Sequence, residues 1–308
     1  MFSYCICGIP VASEIEVPGL ISMPVGTTPP AVTIRFGAVP RELESASEVH
    51  ATYQIAGDLF LLRIPNIARF LLRAGCEIVI EAEDGAGLDD ISAFVVGTAF
   101  GVLLHQRDQV VLHASAVRVG GKSVLFCGNS GAGKSTIAAA LGQHGYTLHA
   151  DDVCAVTVGK DGVPVVQPDG RQLKLWAAAI EKLCISARRG APVRSKLEKF
   201  YLESPESVLE PLALGAVYVL RDTRAPLRDG IEETNIVDAA IQIRKSAYRP
   251  RLVRLMNQDE NYLRSASAIS SRAGVFFLNR PLDYAAMPDV IGGLEAHWRQ
   301  IGILEGAP

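Results

Sequence analysis

The 308-residue chain has no block of like charges and no long uninterrupted hydrophobic run. Its 30 lysine and arginine residues nearly balance 33 aspartate and glutamate residues, so the formal net charge is −3. A nucleic-acid-binding domain needs a basic patch, and we therefore expect no nucleic-acid partner. The longest apolar run, residues 91–104, is shorter than the roughly twenty residues that cross a bilayer. We expect a buried helix there and no membrane contact.

Cysteines are also few, and the six present are scattered along the chain without zinc-binding spacing. That number is too small for a disulfide scaffold of this length. The first residues show no basic segment followed by an apolar core, so neither a signal nor a transit peptide is predicted, and we expect a cytoplasmic protein. With 49% apolar residues, the chain can bury the core of one large or two medium domains.

The pattern of apolar residues divides the chain into two predicted domains. Residues 1–88 contain short alternating segments, such as 32–36 and 77–81, separated by turns, and predict a small β-rich N-terminal domain. An acidic, glycine-containing segment follows, in which Asp89 or Asp90 is expected to cap an apolar helix that ends near Gln106. Residues 89–308 mix strand and helix patterns and predict an α/β domain.

Within the second domain, residues 110–119 and 122–127 predict a hairpin around Gly120 and Gly121. A helix over 137–144 and a strand over 146–150 follow. Further predicted elements are strands at 216–220 and 274–278 and helices at 236–246, 251–262 and 287–300. A stretch rich in lysine and arginine spans 188–199, and its part over 194–199 is expected to be loop-like.

A glycine-rich motif lies between the predicted strand that ends at Cys127 and the helix that follows. It fits G-x-x-x-x-G-K-[ST], in which backbone N–H groups and a helix N-terminus surround phosphates. We expect Lys134 to reach the β- and γ-phosphates of a nucleoside triphosphate and the Ser135 hydroxyl to hold Mg²⁺. The predicted nucleotide-binding residues are Gly128, Asn129, Ser130, Gly131, Ala132, Gly133, Lys134, Ser135 and Thr136.

Motifs of two other nucleotide-binding classes are missing from the sequence. It contains neither the L-S-G-G-Q loop of ABC-type ATPases nor the N-K-x-D base reader of Ras-type GTPases. Instead, the strand after the motif ends in Asp151 and Asp152. One carboxylate there suits a proton acceptor for an attacking hydroxyl, and the other suits a Mg²⁺ ligand. His113 belongs to the predicted hairpin, so it is either an active-site residue near the phosphates or a core histidine.

A basic stretch follows later in the chain and includes Arg194, Lys196 and Lys199. Such a segment suits closure over the γ-phosphate or binding of a substrate carboxylate. A solvated basic helix face is the alternative interpretation, with about equal weight.

Three motifs in register resemble the HPr kinase/phosphorylase family: residues 113–117, the glycine motif, and residues 149–153. The resemblance implies an α/β P-loop kinase domain of the HPr-kinase type. It implies that Asp151 accepts the proton of the substrate serine, that His113 is an active-site residue, and that Lys134 and Ser135 contact the phosphates and Mg²⁺. We therefore predict Asp151, His113 and Lys134 as catalytic residues, and Asp152 remains the second carboxylate predicted to bind Mg²⁺. Asp169 falls near the family's Mg²⁺-binding glutamate, which implies a metal ligand. Arg171 falls near the arginine beside that glutamate, which implies a substrate contact.

The sequence departs from the family at two places. Thr136 replaces an acidic residue, and residues 192–196 only partly match the loop of the reverse reaction, so we expect no phosphorylase activity. Residues 4–18, 173–176 and 198–200 resemble a divergent branch that phosphorylates precursor peptides of lasso peptides. That branch implies a C-terminal serine as acceptor. The terminal carboxylate of such a peptide would suit pairing with the basic stretch, so Arg194 and Lys199 are predicted as substrate contacts. The related kinases are hexamers, which leaves a homo-oligomer open.

Three functions therefore stay open at this level. The first is an ATP- and Mg²⁺-dependent kinase acting on a serine of a peptide or protein. The second is a kinase acting on a small hydroxy compound. The third is a binding module that nucleotide occupancy switches, with no phosphoryl transfer.

Overall fold

The computed structural model describes residues 1–24, 28–194, 197–202, 208–223 and 228–305. The basic residue Lys196 therefore lies outside the described residues. Over the described part the chain forms a mixed α/β fold with a β-rich N-terminal region.

The N-terminal region is one sheet with strand order β1-β2-β3-β8-β7-β6-β5-β4. The sheet is antiparallel except where β3 lies parallel to both of its neighbours. The predicted strands at 32–36 and 77–81 are confirmed by β3 and β8. The strands are β1 Phe2–Ile6, β2 Ile9–Ser13, β3 Val32–Phe36, β4 Glu48–Val49, β5 Tyr53–Ala56, β6 Leu59–Ile64, β7 Ala68–Arg73 and β8 Glu77–Ala82.

The predicted apolar helix is confirmed, but its start and interior differ from expectation. It consists of α1 (Leu88–Phe94), a π-helical turn (Val95–Ala99) and α2 (Phe100–Gln106). The expected cap is wrong: Gly87 is the N-cap, and the Asp90 carboxylate instead accepts a hydrogen bond from Arg194. The stretch Leu88–Gln106 is long and apolar enough to cross a membrane, yet 67% of its apolar window is buried inside the protein, as in a core helix.

The later strands form a second, larger sheet and a small third one. The second has the path β12-β10-β11-β18-β14-β13-β9, with β20 beside β18 and β19 beside β20; the third is β15-β17-β16. The strands are β9 Val110–Leu112, β10 Ala114–Val119, β11 Lys122–Cys127, β12 Leu148–Asp151, β13 Cys154–Val158, β14 Pro164–Val166, β15 Leu173–Trp176, β16 Arg189–Pro192, β17 Lys199–Leu202, β18 Leu212–Asp222, β19 Gly230–Glu233 and β20 Val275–Arg280.

The predicted hairpin is confirmed by the pairing of β10 with β11, but the single strand expected over 110–119 is broken at His113. The break follows from pairing: β9 pairs with β13, whereas β10 pairs with β11 and β12. His113 N donates to the carbonyl of Ser246, which ties the break to the end of a distant helix.

Helices cover the second sheet, and one predicted helix is divided in two. In place of the single helix at 251–262, α6 ends at Leu255 and α7 begins at Asp259, because Asn257 takes a left-handed backbone. The basic stretch 188–199 contains β16, and the loop expected over 194–199 ends at Lys199, which begins β17. The remaining helices are α3 Lys134–Gln143, α4 Ala177–Lys182, α5 Ile236–Lys245, α6 Pro250–Leu255, α7 Asp259–Arg272 and α8 Met287–Gln300.

Two apolar clusters sandwich the second sheet, one under α3 and α8 and one under α5 and α7. A third cluster fills the N-terminal sheet, takes in the helical stretch Leu88–Gln106, and reaches Val111 and Tyr248. Because this cluster runs across residue 88, the domain boundary placed there stays a prediction. The strands β11, β18 and β20 are parallel, so their carboxyl ends meet at one edge of the sheet, where α/β proteins place ligands.

Candidate active site at the carboxyl edge of the second sheet

The glycine loop, residues 128–133, joins β11 directly to α3, so the strand and helix that the motif requires are both present. Gly128, Gly131 and Gly133 all have positive φ angles, which disfavour other residues. At Gly133 a Cβ atom would also lie 2.5 Å from the Arg280 guanidinium. The loop therefore leads into the N-terminus of the ten-residue helix α3. Backbone N–H groups and the helix dipole favour an anion there.

Lys134 begins α3 and is almost fully buried beneath the glycine loop. Its Nζ donates hydrogen bonds to the carbonyls of Gly128 at 2.9 Å and Asn129 at 3.1 Å. Burial lowers the pKa of this lysine, while Cys127 and the Asp151 carboxylate act in the opposite direction. The cation thus lies within the concave side of the loop.

Asp151 ends β12 and is buried against the first turn of α3. Its Oδ1 accepts hydrogen bonds from Ser135 Oγ at 2.9 Å and Ser115 Oγ at 2.6 Å. Its Oδ2 accepts one from the backbone N–H of Lys174 at 3.3 Å. Two oxygen ligands from neighbouring elements therefore lie beside the glycine loop, which suits Mg²⁺ bound by a few protein oxygens together with phosphate.

Asp152 faces the opposite way from Asp151 because its backbone is left-handed, with φ at 73°. Its Oδ1 lies 3.1 Å from His113 Nδ1, and its carbonyl oxygen lies 3.0 Å from the same nitrogen. Two acceptors at Nδ1 mean that this nitrogen carries the proton. Burial alone raises the pKa of Asp152, but the hydrogen bond from His113 and the charge of Lys174 outweigh it and hold the pKa well below its usual range.

His113 and Asp152 open onto a cleft of about 740 Å³, which also contains Gly128, Asn129 and Ser130 of the glycine loop. The edge of the His113 ring packs on Tyr248, with ring centroids 6.0 Å apart. The structure therefore brings together the predicted His113, Lys134, Ser135, Asp151 and Asp152 at one end of the sheet.

Asp169 and Arg171 lie apart from this cleft, in a fully buried ion pair with 2.5 Å between Arg171 Nε and Asp169 Oδ1. Arg171 also donates to the carbonyl of Val96 at 2.7 Å, and Asp169 accepts from the backbone N–H of Asp151 at 3.3 Å. Burial raises the pKa of Asp169, and the Arg171 charge opposes that effect. The geometry does not bring either side chain to a surface that a metal or a substrate reaches.

Arg194 and Lys199 do not line the cleft that contains His113 and Asp152. Arg194 pairs with Asp90, with 2.5 Å between Nε and Oδ1. The Lys199 ammonium lies 5.9 Å from the centre of the Trp176 ring, and its charge contributes to lowering the pKa values of Lys134 and Lys174. Of these two predicted substrate contacts, Lys199 is therefore the one whose charge is felt beside the glycine loop.

Sequence reasoning missed several charged residues at this edge. Lys174 is 7% exposed and lies beside Asp151 and Asp152; burial lowers its pKa, while Asp152 acts in the opposite direction. A lysine inside the apolar strand pattern of 173–176 was the available signal. Arg221, Lys245 and Arg249 line the cleft as well, but they come from separate elements and had no shared motif.

A smaller cavity of about 150 Å³ lies on the other side of the glycine loop. Gly131, Gly133 and Thr136 form one wall, and Leu282 and Tyr284 form the other. Leu282 is 56% exposed, an apolar side chain held open beside the loop. In the described part of the chain, this edge included, no group of three or more His, Cys, Asp or Glu side chains is placed to hold a metal ion.

The fold is mixed α/β, and the glycine loop at this edge fits G-x-x-x-x-G-K-[ST] in sequence. No family model matches the chain, and no curated protein matches it. Among solved structures, the HPr(Ser) kinase/phosphatase from Coxiella burnetii is similar over 62% of this chain and 98% of its own, at 13% identity and a TM-score of 0.34. A likeness at that level carries no argument about activity.

Proposed function

We propose that the protein is an ATP- and Mg²⁺-dependent kinase that transfers the γ-phosphoryl group to a serine hydroxyl of a peptide or protein. The C-terminal serine of a lasso-type precursor peptide is the acceptor that the sequence resemblance implies. One observation carries the proposal: the glycine loop, Lys134, the Ser135–Asp151 pair and the His113–Asp152 pair converge at the carboxyl edge of one sheet.

Each side chain at this edge has a distinct role in the proposal. The glycine loop N–H groups and Lys134 bind the phosphates, and Ser135 and Asp151 hold the metal ion through their oxygens. When bound, Mg²⁺ neutralises charge on the phosphate oxygens. The cavity beside Leu282 and Tyr284 takes the nucleoside, since it adjoins the loop and offers an aromatic and an aliphatic wall.

The contacts favour an exchange of the roles first predicted for the two aspartates. Asp151 is enclosed by Ser115, Ser135 and the backbone, so it has an oxygen for a metal but no open path to an acceptor. Asp152 faces the cleft, and His113 holds it by Nδ1–H. We assign proton acceptance to Asp152: it takes the proton of the serine hydroxyl as that oxygen bonds to the γ-phosphorus and the bond to the β-phosphate oxygen breaks.

Asp169 and Arg171 have no metal or substrate role in this proposal. Their ion pair holds the backbone of the site in place, because Asp169 accepts a hydrogen bond from the backbone N–H of Asp151 and Arg171 donates one to the Val96 carbonyl. Lys174 and Lys199 add positive charge beside the loop, which favours a polyphosphate.

The test is intact-mass spectrometry of three acceptors incubated with the protein, ATP and Mg²⁺: a precursor peptide ending in serine, the same peptide ending in alanine, and free serine. We expect phosphate on the serine peptide only. Lys134→Met should abolish both transfer and nucleotide binding, whereas Lys160→Met, which changes an exposed lysine, should leave both intact. Phosphorylation of free serine alone would instead support a small-molecule kinase, and tight ATP binding without any transfer would support a nucleotide-switched binding module.

A further inference from the structure

A second cavity adjoins the cleft that contains His113 and Asp152. It has a volume of about 580 Å³, and its walls include His50, Tyr53, Phe60 and Phe94. We call it the aromatic pocket. Arg249 and Pro250 line both the cleft and the aromatic pocket, so the two cavities are neighbours, and strands of the N-terminal sheet supply part of the wall of the second.

The aromatic pocket is built to receive an apolar side chain. Tyr53 stacks between His50 and Phe60, with ring centroids 4.4 Å and 5.3 Å away. Leu62, Ile64 and Leu252 supply further apolar surface. Its walls carry no aspartate or glutamate among the residues that the structure describes there, so an apolar group meets mostly carbon.

The junction between the two cavities is locally irregular on both sides. Arg249 has a left-handed backbone, with φ at 54°, directly before Pro250 begins α6. Its Nη2 donates a hydrogen bond of 2.6 Å to Thr98 Oγ1, in the π-helical turn Val95–Ala99. Strained non-glycine residues and π-helical turns both occur preferentially at functional sites, and here a single hydrogen bond joins one of each.

The charged side chains on the walls of the cleft and the aromatic pocket are predominantly positive. The cleft walls contribute Arg221, Lys245 and Arg249 against the single carboxylate of Asp152. The aromatic pocket adds Arg251, whose charge acts on the Tyr53 hydroxyl. An acceptor segment with a carboxylate between its hydroxyl and its apolar group is complementary to this sequence of charges.

We propose that the acceptor is an extended, acidic peptide that places its serine at Asp152, a carboxylate at Arg249, and an aliphatic or aromatic side chain in the aromatic pocket. This inference rests on the proposed function. It assigns to the N-terminal sheet a direct part in choosing the substrate, and it makes Arg249, Thr98 and Tyr53 specificity-determining residues that do not touch the transferred phosphoryl group.

The experiment uses a peptide library with one fixed serine, each flanking position being varied in turn, incubated with ATP, Mg²⁺ and the full chain. We expect a preference for aliphatic or aromatic residues at one fixed distance from the serine and for acidic residues between. Tyr53→Ala should remove the preference for aliphatic or aromatic residues at that position and lower kcat/KM on the preferred peptide about tenfold. Arg249→Ala should remove the acidic preference and lower kcat/KM about 10- to 100-fold, mainly through KM.

Two conservative variants and two controls separate recognition from misfolding. Tyr53→Phe should retain the apolar preference, and Thr98→Val, which frees the Arg249 guanidinium, should weaken the acidic preference alone. Leu263→Ala and Arg264→Ala change exposed side chains of α7 and should leave both preferences unchanged.

The outcomes distinguish the two levels of the proposal. Phosphate transfer with no positional preference, or with preferences that Tyr53→Ala and Arg249→Ala leave intact, would overturn this inference and leave the kinase standing. Absence of transfer to every peptide, with ATP still bound, would overturn the kinase proposal and this inference with it. Phosphorylation of free serine as efficient as that of the preferred peptide would show that a small molecule occupies the cleft.

Discussion

Two side-chain pairs next to Asp151, His113–Asp152 and Arg171–Asp169, differ in their exposure to solvent. The side chains of His113 and Asp152 remain 32% and 31% exposed and face the cleft, whereas those of Arg171 and Asp169 remain 2% and 1% exposed. An exposed pair beside a cleft can exchange a proton with a bound hydroxyl. A buried pair only holds its neighbours in place, because separating its charges in a low-dielectric interior costs too much.

The two histidines of the motif region repeat this contrast. His113 lies at the break between β9 and β10, with Nδ1 on Asp152. His149 lies inside β12, where it contacts Ser123 Oγ at 2.9 Å and the Glu210 carbonyl at 3.1 Å, and burial lowers its pKa to about 4. The first is available for chemistry, and the second is a neutral core residue.

The strongest way to break this comparison is to remove the charge from the exposed pair. We expect Asp152→Asn to lower phosphoryl transfer by about 10²- to 10⁴-fold, since general-base catalysis contributes about that much. Nucleotide affinity should change little, because Asp152 is not among the loop contacts. Transfer is measured by phosphopeptide formation and affinity by calorimetry. Asp151→Asn is the companion variant, and it should weaken Mg²⁺ binding, so that more Mg²⁺ is needed for the same activity. Normal turnover of Asp152→Asn would return the proton-acceptor role to Asp151.

The next largest effect comes from the buried pair and concerns stability. Arg171→Met leaves the Asp169 carboxylate without its cation, so we expect a loss of about 3–5 kcal/mol in the free energy of unfolding. Urea denaturation measures it, with the exposed Arg264→Met as the matched control, for which a change within about 0.5 kcal/mol is expected. The double variant Asp169→Asn with Arg171→Met should recover part of the loss. Equal effects of Arg171→Met and Arg264→Met would show that the buried Arg171–Asp169 pair contributes no more to stability than the exposed Arg264–Glu260 pair.

The smallest effect sharpens the comparison of the two histidines. Burial holds the pKa of folded His149 at about 4 against an ordinary value of 6.5, so the unfolded chain binds more protons between these values. Stability therefore falls as the pH drops through this window, by about 2 kcal/mol between about pH 7 and about pH 5. Unfolding of the wild type is compared with His149→Gln, which should lose this share of the pH dependence. The exposed His144→Gln is the control, and an unchanged pH profile in His149→Gln would place the dependence elsewhere.

Local patterns in the sequence were sufficient for most of the elements that position the site. The alternation at 32–36, the two glycines at 120–121 and the spacing of the glycine motif each depend on neighbours in the chain, and β3, the β10–β11 hairpin and the β11–α3 junction follow them. The strand break at His113 and the division of α6 from α7 escaped prediction. The first depends on which strands pair, and the second depends on a left-handed Asn257 that propensity does not specify.

The sequence by itself determined a glycine loop that fits G-x-x-x-x-G-K-[ST], with Lys134 and Ser135 at its end, and an aspartate pair one helix and one strand later. Only the tertiary structure decided which charged residues face the cleft and which are buried. Asp169 and Arg171 carry the same charges as the cleft residues, yet packing of the N-terminal sheet and the Val95–Ala99 turn over them removes them from solvent. Burial depends on long-range contacts, so adjacent or similar residues such as Asp151 and Asp152 acquire different surroundings that no local pattern records.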